Sequence, residues 1–123
     1  MHIDELTHII IGIAIKIHRA LGPGLFESVY QAALAYELQK SQIPFEKEKI
    51  LAVRYQGVIL DIGFRCDFLI DDRVIVECKA VRQLSEIDQA QVINYLKIAN
   101  KTVSLLINFN VKLLKNGLKR FVN

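Results

Sequence analysis

The stretch of sequence that decides the fold reads Cys66-Asp67-Phe68-Leu69-Ile70-Asp71-Asp72-Arg73-Val74-Ile75-Val76-Glu77-Cys78-Lys79. Two short apolar runs flank a polar turn, a pattern typical of two antiparallel strands joined by a tight loop. The second run is continuously apolar, as expected for a strand that lies inside a sheet covered on both faces. Charged side chains at the end of such a strand are costly to bury unless they are paired or bound to a ligand.

The length of the turn decides where the first acidic residue of this stretch points. A two-residue loop sets Asp67 opposite Val76, so that its side chain turns away from Glu77. A three-residue loop, residues 71–73, sets Asp67 opposite Glu77. It leaves the other face of the hairpin wholly apolar, with Cys66 opposite Cys78. Because a shift of one residue moves every side chain to the opposite face, the register that separates polar from apolar side chains is favoured. We therefore predict that Asp67 and Glu77 lie side by side.

Two neighbouring carboxylates repel each other, and each raises the pKa of the other. A bound divalent cation removes this conflict, and hard oxygen ligands favour Mg²⁺ or Mn²⁺. Glu77 and Lys79 are two residues apart on one strand, so their side chains share a face. The alternative is a solvated strand end, in which Glu77 and Lys79 form a pair and Asp67 forms a salt bridge with Arg65 or Lys79. The spacing, the buried strand and the register favour the metal site.

The rest of the sequence predicts a mixed α/β or α+β domain. Helices are predicted from Asp4 or Thr7 to about Ala20, from about Phe26 to Lys40, and from Ser85 to about Ala99. Strands are predicted at residues 45–55, 58–64, 66–70, 74–79, 103–109 and 118–122. The helix between the fourth and fifth of these strands permits a right-handed parallel crossover, so we expect a mixed sheet.

Length and composition restrict the class of protein. The 123 residues are expected to form one domain, and hydrophobic and charged fractions of 52% and 24% argue against disorder. The most apolar run, residues 9–15, is too short to cross a membrane, and no basic segment precedes it. We therefore expect a cytoplasmic protein without a membrane partner. A formal net charge of +3 is compatible with a polyanionic partner but does not by itself argue for one.

A second motif points to a known family. Residues 24–30 carry the Gly-x-x-Glu-x-x-Tyr signature of the GxxExxY proteins, formed by Gly24, Glu27 and Tyr30. The chain resembles this family over nearly its whole length, including residues 21–24, 67–79, 91–96 and 106–110. These proteins are similar to small members of the PD-(D/E)XK nuclease superfamily. The resemblance implies a restriction-endonuclease-like core of order α-β-β-β-α-β, with an extra N-terminal helix, within a single domain of residues 1–123.

The resemblance also implies roles for the charged residues. The catalytic aspartate of the family pattern falls on Asp67, and its Glu-x-Lys motif falls on Glu77 and Lys79. The ligands of a Mg²⁺ or Mn²⁺ ion would then be the side chains of Glu27, Asp67 and Glu77, together with the backbone carbonyl of Cys78. A cysteine at position 78 departs from the aliphatic residue usual in the family, but it leaves this carbonyl available.

Two helical pairs complete the predicted site. Glu27 and Tyr30 lie three residues apart on one helix face, and Gln91 and Tyr95 lie four apart on another. A carboxylate in the first turn also stabilises a helix through the macrodipole, so spacing alone leaves a structural role for Glu27 equally open. The structural alternative for Gln91 and Tyr95 is a surface pair with a half-buried tyrosine. The resemblance implies that Glu27 binds the metal and that Tyr30, Gln91 and Tyr95 position the substrate.

Together these residues predict a metal-dependent nuclease that hydrolyses phosphodiester bonds of nucleic acid, with DNA as the favoured substrate. The alternative is a catalytically inactive module that keeps the fold and binds nucleic acid or a protein partner. The small size of the chain and its weak net charge support this alternative. A homodimer could supply further contacts to the substrate, although the sequence reveals no interface.

Overall fold

The computed structural model describes residues 1–123 and contains three helices and one five-stranded sheet. The elements are α1 (Ile3–Leu21), α2 (Glu27–Lys40), β1 (Phe45–Tyr55), β2 (Val58–Ile70), β3 (Val74–Lys79), α3 (Glu86–Ala99), β4 (Val103–Asn108) and β5 (Leu118–Val122), with a 3₁₀ turn at Leu114–Asn116. The strands lie in the order β1-β2-β3-β4-β5. Strands β3 and β4 are parallel, and all other neighbours are antiparallel. The predicted α+β class, the mixed sheet and the core order α-β-β-β-α-β are confirmed.

Helices cover both faces of the sheet. Helices α1 and α2 pack on one face, where residues such as Ile10 and Leu34 belong to the same large apolar cluster as Phe68 and Val76. Helix α3 packs on the other face, where Tyr95 and its neighbours form a smaller cluster. Strand β3 lies between these layers and is buried from residue 74 to residue 78, as its continuous apolar run predicts. None of the helices combines the length and the apolar character that crossing a membrane requires.

The hairpin between β2 and β3 has the three-residue loop that its polarity pattern predicts. Ile70 pairs with Val74, and Phe68 pairs with Val76. Asp71 and Asp72 adopt left-handed backbone conformations, with φ of 51° and 56°. Aspartate tolerates this region better than most residues, which explains why two aspartates begin the turn.

Two predicted element boundaries are wrong. Residues 58–70 form one strand rather than two, because Arg65 pairs with Ile50 and the ladder with β1 continues across the predicted break. Helix α1 is capped by His2, whose ring nitrogen accepts from the N–H of Asp4 at 3.1 Å, rather than by Asp4 or Thr7. The predicted capping box at Ser85 is confirmed.

Candidate metal centre

The ladder between β2 and β3 ends at the pair Phe68 and Val76. The next residue on each strand beyond this pair is acidic: Asp67 on β2 and Glu77 on β3. The N–H of Asp67 donates to Oε1 of Glu77 at 2.9 Å. In return, the N–H of Cys78 donates to Oδ2 of Asp67 at 2.8 Å. Each carboxylate therefore anchors one oxygen on the backbone of the opposite strand, and the two side chains lie together as the three-residue loop requires.

The two cysteines beside this carboxylate pair lie in different apolar clusters. Cys66 packs in the apolar cluster on the α3 side, whereas Cys78 packs in the cluster on the side of α1 and α2. The sequence-based expectation that they face each other across the hairpin is therefore wrong. Both are buried free thiols, as expected for core cysteines.

The carboxylate pair lies where burial and mutual repulsion disfavour ionisation of Glu77. Glu77 is only 5% exposed, and burial together with the Asp67 carboxylate raises the pKa of Glu77 to about 8. Neither carboxylate forms a salt bridge. Lys79 instead pairs with Asp88, with 3.9 Å between Nζ and Oδ1. The alternative of an Asp67 salt bridge with Arg65 or Lys79 is therefore not realised.

Glu27 reaches the same strand end from the other helical layer. It begins α2, and its Oε2 accepts from the N–H of Ala80 at 3.3 Å, one residue beyond β3. The negative charges of Asp67, Glu77 and Glu27, added to burial, raise the pKa of the Cys78 thiol well above its usual value. Three carboxylates thus lie around Cys78, at the point where β3 ends.

The side chains do not form a compact ligand cluster, since no three His, Cys, Asp or Glu residues could hold a metal ion between them. Glu27 is bonded to the backbone beyond Cys78, so the carboxylate pair of Asp67 and Glu77 stands alone. The N–H and C=O of one strand residue point to the same side, so the Cys78 carbonyl faces β2 like its N–H. Two carboxylates and a carbonyl make an all-oxygen donor set, and Mg²⁺ commonly uses one or two carboxylates and keeps several waters. These residues fit such an ion.

Tyr30 has no exposed surface, so it cannot contact a substrate directly as predicted. Its hydroxyl donates to the carbonyl of Gly22 at 2.6 Å and accepts from the N–H of Leu25 at 3.2 Å. Its ring stacks on Phe109 with 4.5 Å between centroids. Tyr30 therefore fixes the turn that precedes α2, and with it the position of Glu27.

The other helical pair lies on α3. Tyr95 is buried against Phe64, with 5.2 Å between ring centroids. Burial and the charges of Glu77 and Asp67 raise the pKa of Tyr95, so it lies within electrostatic range of the carboxylate pair. Gln91 is exposed one turn earlier on the same helix.

One residue of the site was missed in the sequence. The Asn108 side chain is buried at the end of β4 and accepts from the N–H groups of Val81 and Asn110, while its amide donates to the carbonyl of Val81. It thereby fixes the loop that follows Lys79, its register partner. The available signal was an amide side chain near the end of the apolar run 103–109, in which Ser104 is the one other polar residue.

The sequence and the fold both resemble those of known proteins. Residues 4–121 match the sequence model of the PD-(D/E)XK nuclease superfamily. Among solved structures, the fold is similar to the protein described as "Crystal structure of SSO0001", with a TM-score of 0.50 and 17% identity over 77% of this chain and 48% of that chain. This chain thus spans about half the length of that protein, and the likeness concerns the fold alone. No curated protein matches the sequence.

Proposed function

Because the chain belongs to the PD-(D/E)XK nuclease superfamily, we propose that it is a divalent-metal-dependent nuclease that hydrolyses phosphodiester bonds, with DNA as its expected substrate. Nucleases of this superfamily generally use divalent metal ions. The observation that carries the proposal is the reciprocal anchoring of Asp67 and Glu77 beside Lys79 at the end of a buried strand. Burial and the Asp67 carboxylate raise the pKa of Glu77, and Lys79, whose salt bridge is with Asp88, offsets only part of this effect.

Asp67, Glu77 and the Cys78 carbonyl would hold the ion, Mg²⁺ or Mn²⁺. When bound, the ion supplies Lewis acidity at the scissile phosphate and lowers the pKa of a water. The backbone bonds leave Oδ1 of Asp67 and Oε2 of Glu77 available as ligands. Because the opposite oxygens are anchored, these ligands are already oriented and little ordering is required on binding.

Lys79 is the residue proposed to act on the attacking water and on the charge that develops at the phosphate. Its side chain is 22% exposed and shares a strand face with Glu77. The ammonium group has three donors, and the long contact with Asp88 leaves donors for the water and for a phosphate oxygen. Asp88 orients the amine, and the Ser85 N–H holds the pKa of Asp88 below its ordinary value, which keeps it ionised.

The surroundings of this strand end suit an anionic substrate. Glu27 and Asp88 lie in the first turns of α2 and α3, so the N-termini of both helices meet the end of β3. The partial positive charge of these termini favours a phosphate group. Gln91, which is exposed, is proposed to donate to a phosphate oxygen, and the Tyr95 hydroxyl is proposed to orient water next to the carboxylate pair.

The proposal is tested by incubating the purified protein with plasmid DNA and with single-stranded RNA in Mg²⁺, in Mn²⁺ and in EDTA. We expect ion-dependent cleavage that falls at least about 100-fold in Lys79→Met, because the charge that stabilises the transition state is lost while the side-chain stem is kept. Lys97→Met, on the exposed last turn of α3, is the matched control and should retain activity. Absence of cleavage with both ions and both substrates would contradict the proposal and favour the inactive binding module.

A further inference from the structure

The basic residues without a salt-bridge partner are unevenly distributed over the surface. Six of the 16 Lys and Arg residues form salt bridges, which leaves ten without a partner. Five of these ten line two neighbouring hollows of about 310 and 520 Å³. The first hollow contains Arg82 and Lys119, and the second contains Arg19, Lys112 and Lys115. We call the surface formed by these five residues the basic surface.

No acidic residue lines either hollow, although the chain contains 13 Asp and Glu residues. The basic surface therefore concentrates positive charge that the modest net charge of +3 does not reveal. The remaining polar lining of the first hollow consists of neutral amides, including Gln83, Gln89 and Asn116. Amide side chains and basic side chains together are the groups that contact phosphate oxygens in nucleic-acid complexes.

The two hollows lie on either side of one chain segment, residues 109–117. Val111 lines the first hollow, and its carbonyl lies 2.7 Å from Nε2 of His18, which lines the second. This contact attaches the segment to helix α1, and the buried Leu114 fixes it further. The lysines on the segment are consequently presented from a held backbone, between the hollow that contains Arg82 and the hollow that contains Arg19.

Both hollows are attached to elements that carry residues of the candidate metal centre. On one side, the N–H of Phe109 donates to the carbonyl of Lys79 at 2.9 Å, and the loop that carries Arg82 follows directly. On the other side, Gly22 lines the second hollow and accepts the Tyr30 hydroxyl bond that fixes the start of α2. The end of β3 and the start of α2, which present the carboxylates, are therefore each bonded to a segment that lines a basic hollow.

We propose that the basic surface binds the phosphodiester backbone of the nucleic acid beyond the cleavage point, so that it supplies the affinity that the small, acidic metal centre lacks. The inference rests on the proposed nuclease function and extends it to the mode of substrate binding. Contacts of lysine and arginine with phosphates are independent of sequence and release counterions, so this binding should be strongly salt-dependent.

The test measures binding of fluorescein-labelled DNA and RNA by fluorescence anisotropy in EDTA, over a series of salt concentrations. The triple variant Lys112→Ala, Lys115→Ala, Lys119→Ala removes three exposed side chains of the basic surface. We expect its Kd to rise about tenfold or more, and the slope of log K against log salt to fall by about two to three. A stronger effect with RNA than with DNA would support the surface and identify RNA as the ligand.

A matched control removes the same charge from the end of the molecule that carries the β2–β3 turn, where Lys101 contacts Asp72. Lys40 ends α2, while Lys97 and Lys101 lie at and just beyond the end of α3, so Lys40→Ala, Lys97→Ala, Lys101→Ala should leave the slope nearly unchanged. If the two triple variants weakened nucleic-acid binding equally, or if neither weakened it, the proposed role of the basic surface would be wrong. Cleavage with unaltered binding would refute this inference alone, whereas binding through these lysines without any cleavage would refute only the nuclease activity.

Discussion

Asp67→Asn is expected to reduce metal-dependent cleavage by a factor on the order of 10² to 10³ and to leave the fold intact. The asparagine carbonyl can still accept from the Cys78 N–H, so the bond that shapes the strand end is retained. What is lost is one of the two charges that hold the ion. Because that charge also repels Glu77 in the metal-free protein, we expect the melting temperature in EDTA to stay equal or to rise.

The effect of Asp67→Asn is measured as a cleavage rate with Mg²⁺ and as a thermal unfolding curve in EDTA. Asp72→Asn is the control, since Asp72 is an exposed turn carboxylate with φ of 56°, a conformation that asparagine tolerates. Cleavage by Asp67→Asn within about tenfold of the wild type, or a large loss of stability, would show that the residue has a structural role instead.

Glu77→Gln is expected to change how stability depends on pH. Burial and the Asp67 carboxylate raise the pKa of Glu77 to about 8 in the folded protein, so the folded state binds this proton more tightly than the unfolded state does. The resulting stabilisation is present below the usual carboxyl pKa and is lost as pH rises through about 8. Between about pH 5 and pH 9, the free energy of unfolding of the wild type should fall relative to Glu77→Gln by on the order of 2 kcal/mol.

The comparison is made by urea denaturation of both proteins in EDTA across this pH range. Glutamine keeps an acceptor for the Asp67 N–H, so packing and hydrogen bonding are matched and the difference reports the charge. Parallel stability curves for the two proteins would mean that Glu77 is ionised at low pH like an exposed carboxylate, and the description of the buried pair would be wrong.

The register of the central hairpin could be predicted because side chains alternate with a period of two, and only the three-residue loop separates polar from apolar positions. That register was sufficient to bring Asp67 and Glu77 together. It was not sufficient to predict which face of the sheet carries the Cys66 side chain. The regular ladder between β2 and β3 ends at Phe68, and at Asp67 side-chain bonds to the backbone take its place, so the alternation does not extend to Cys66. Periodicity describes regular ladders, and side-chain bonds to the backbone are outside its scope.

Helical spacing likewise predicted which side chains share a helix face, but not how deeply each side chain is buried. Glu27 and Tyr30 do share a face, yet only Glu27 reaches the strand end, because the Tyr30 hydroxyl is bonded to Gly22 in the preceding turn. That partner exists only once the turn is folded, so no spacing in the sequence indicates it. The same holds for Asn108, whose partners Val81 and Asn110 lie in loops that the apolar run does not predict.

Asp67 and Glu77, with the Cys78 carbonyl, are proposed to bind one divalent ion. The most direct test is a titration with Mn²⁺ in which free Mn²⁺ is followed by electron paramagnetic resonance. We predict one Mn²⁺ per chain, competed by Mg²⁺, with binding lost in Asp67→Asn and preserved in Asp72→Asn. A wild-type protein that binds no Mn²⁺, or an Asp67→Asn variant that binds it equally well, would contradict the claim.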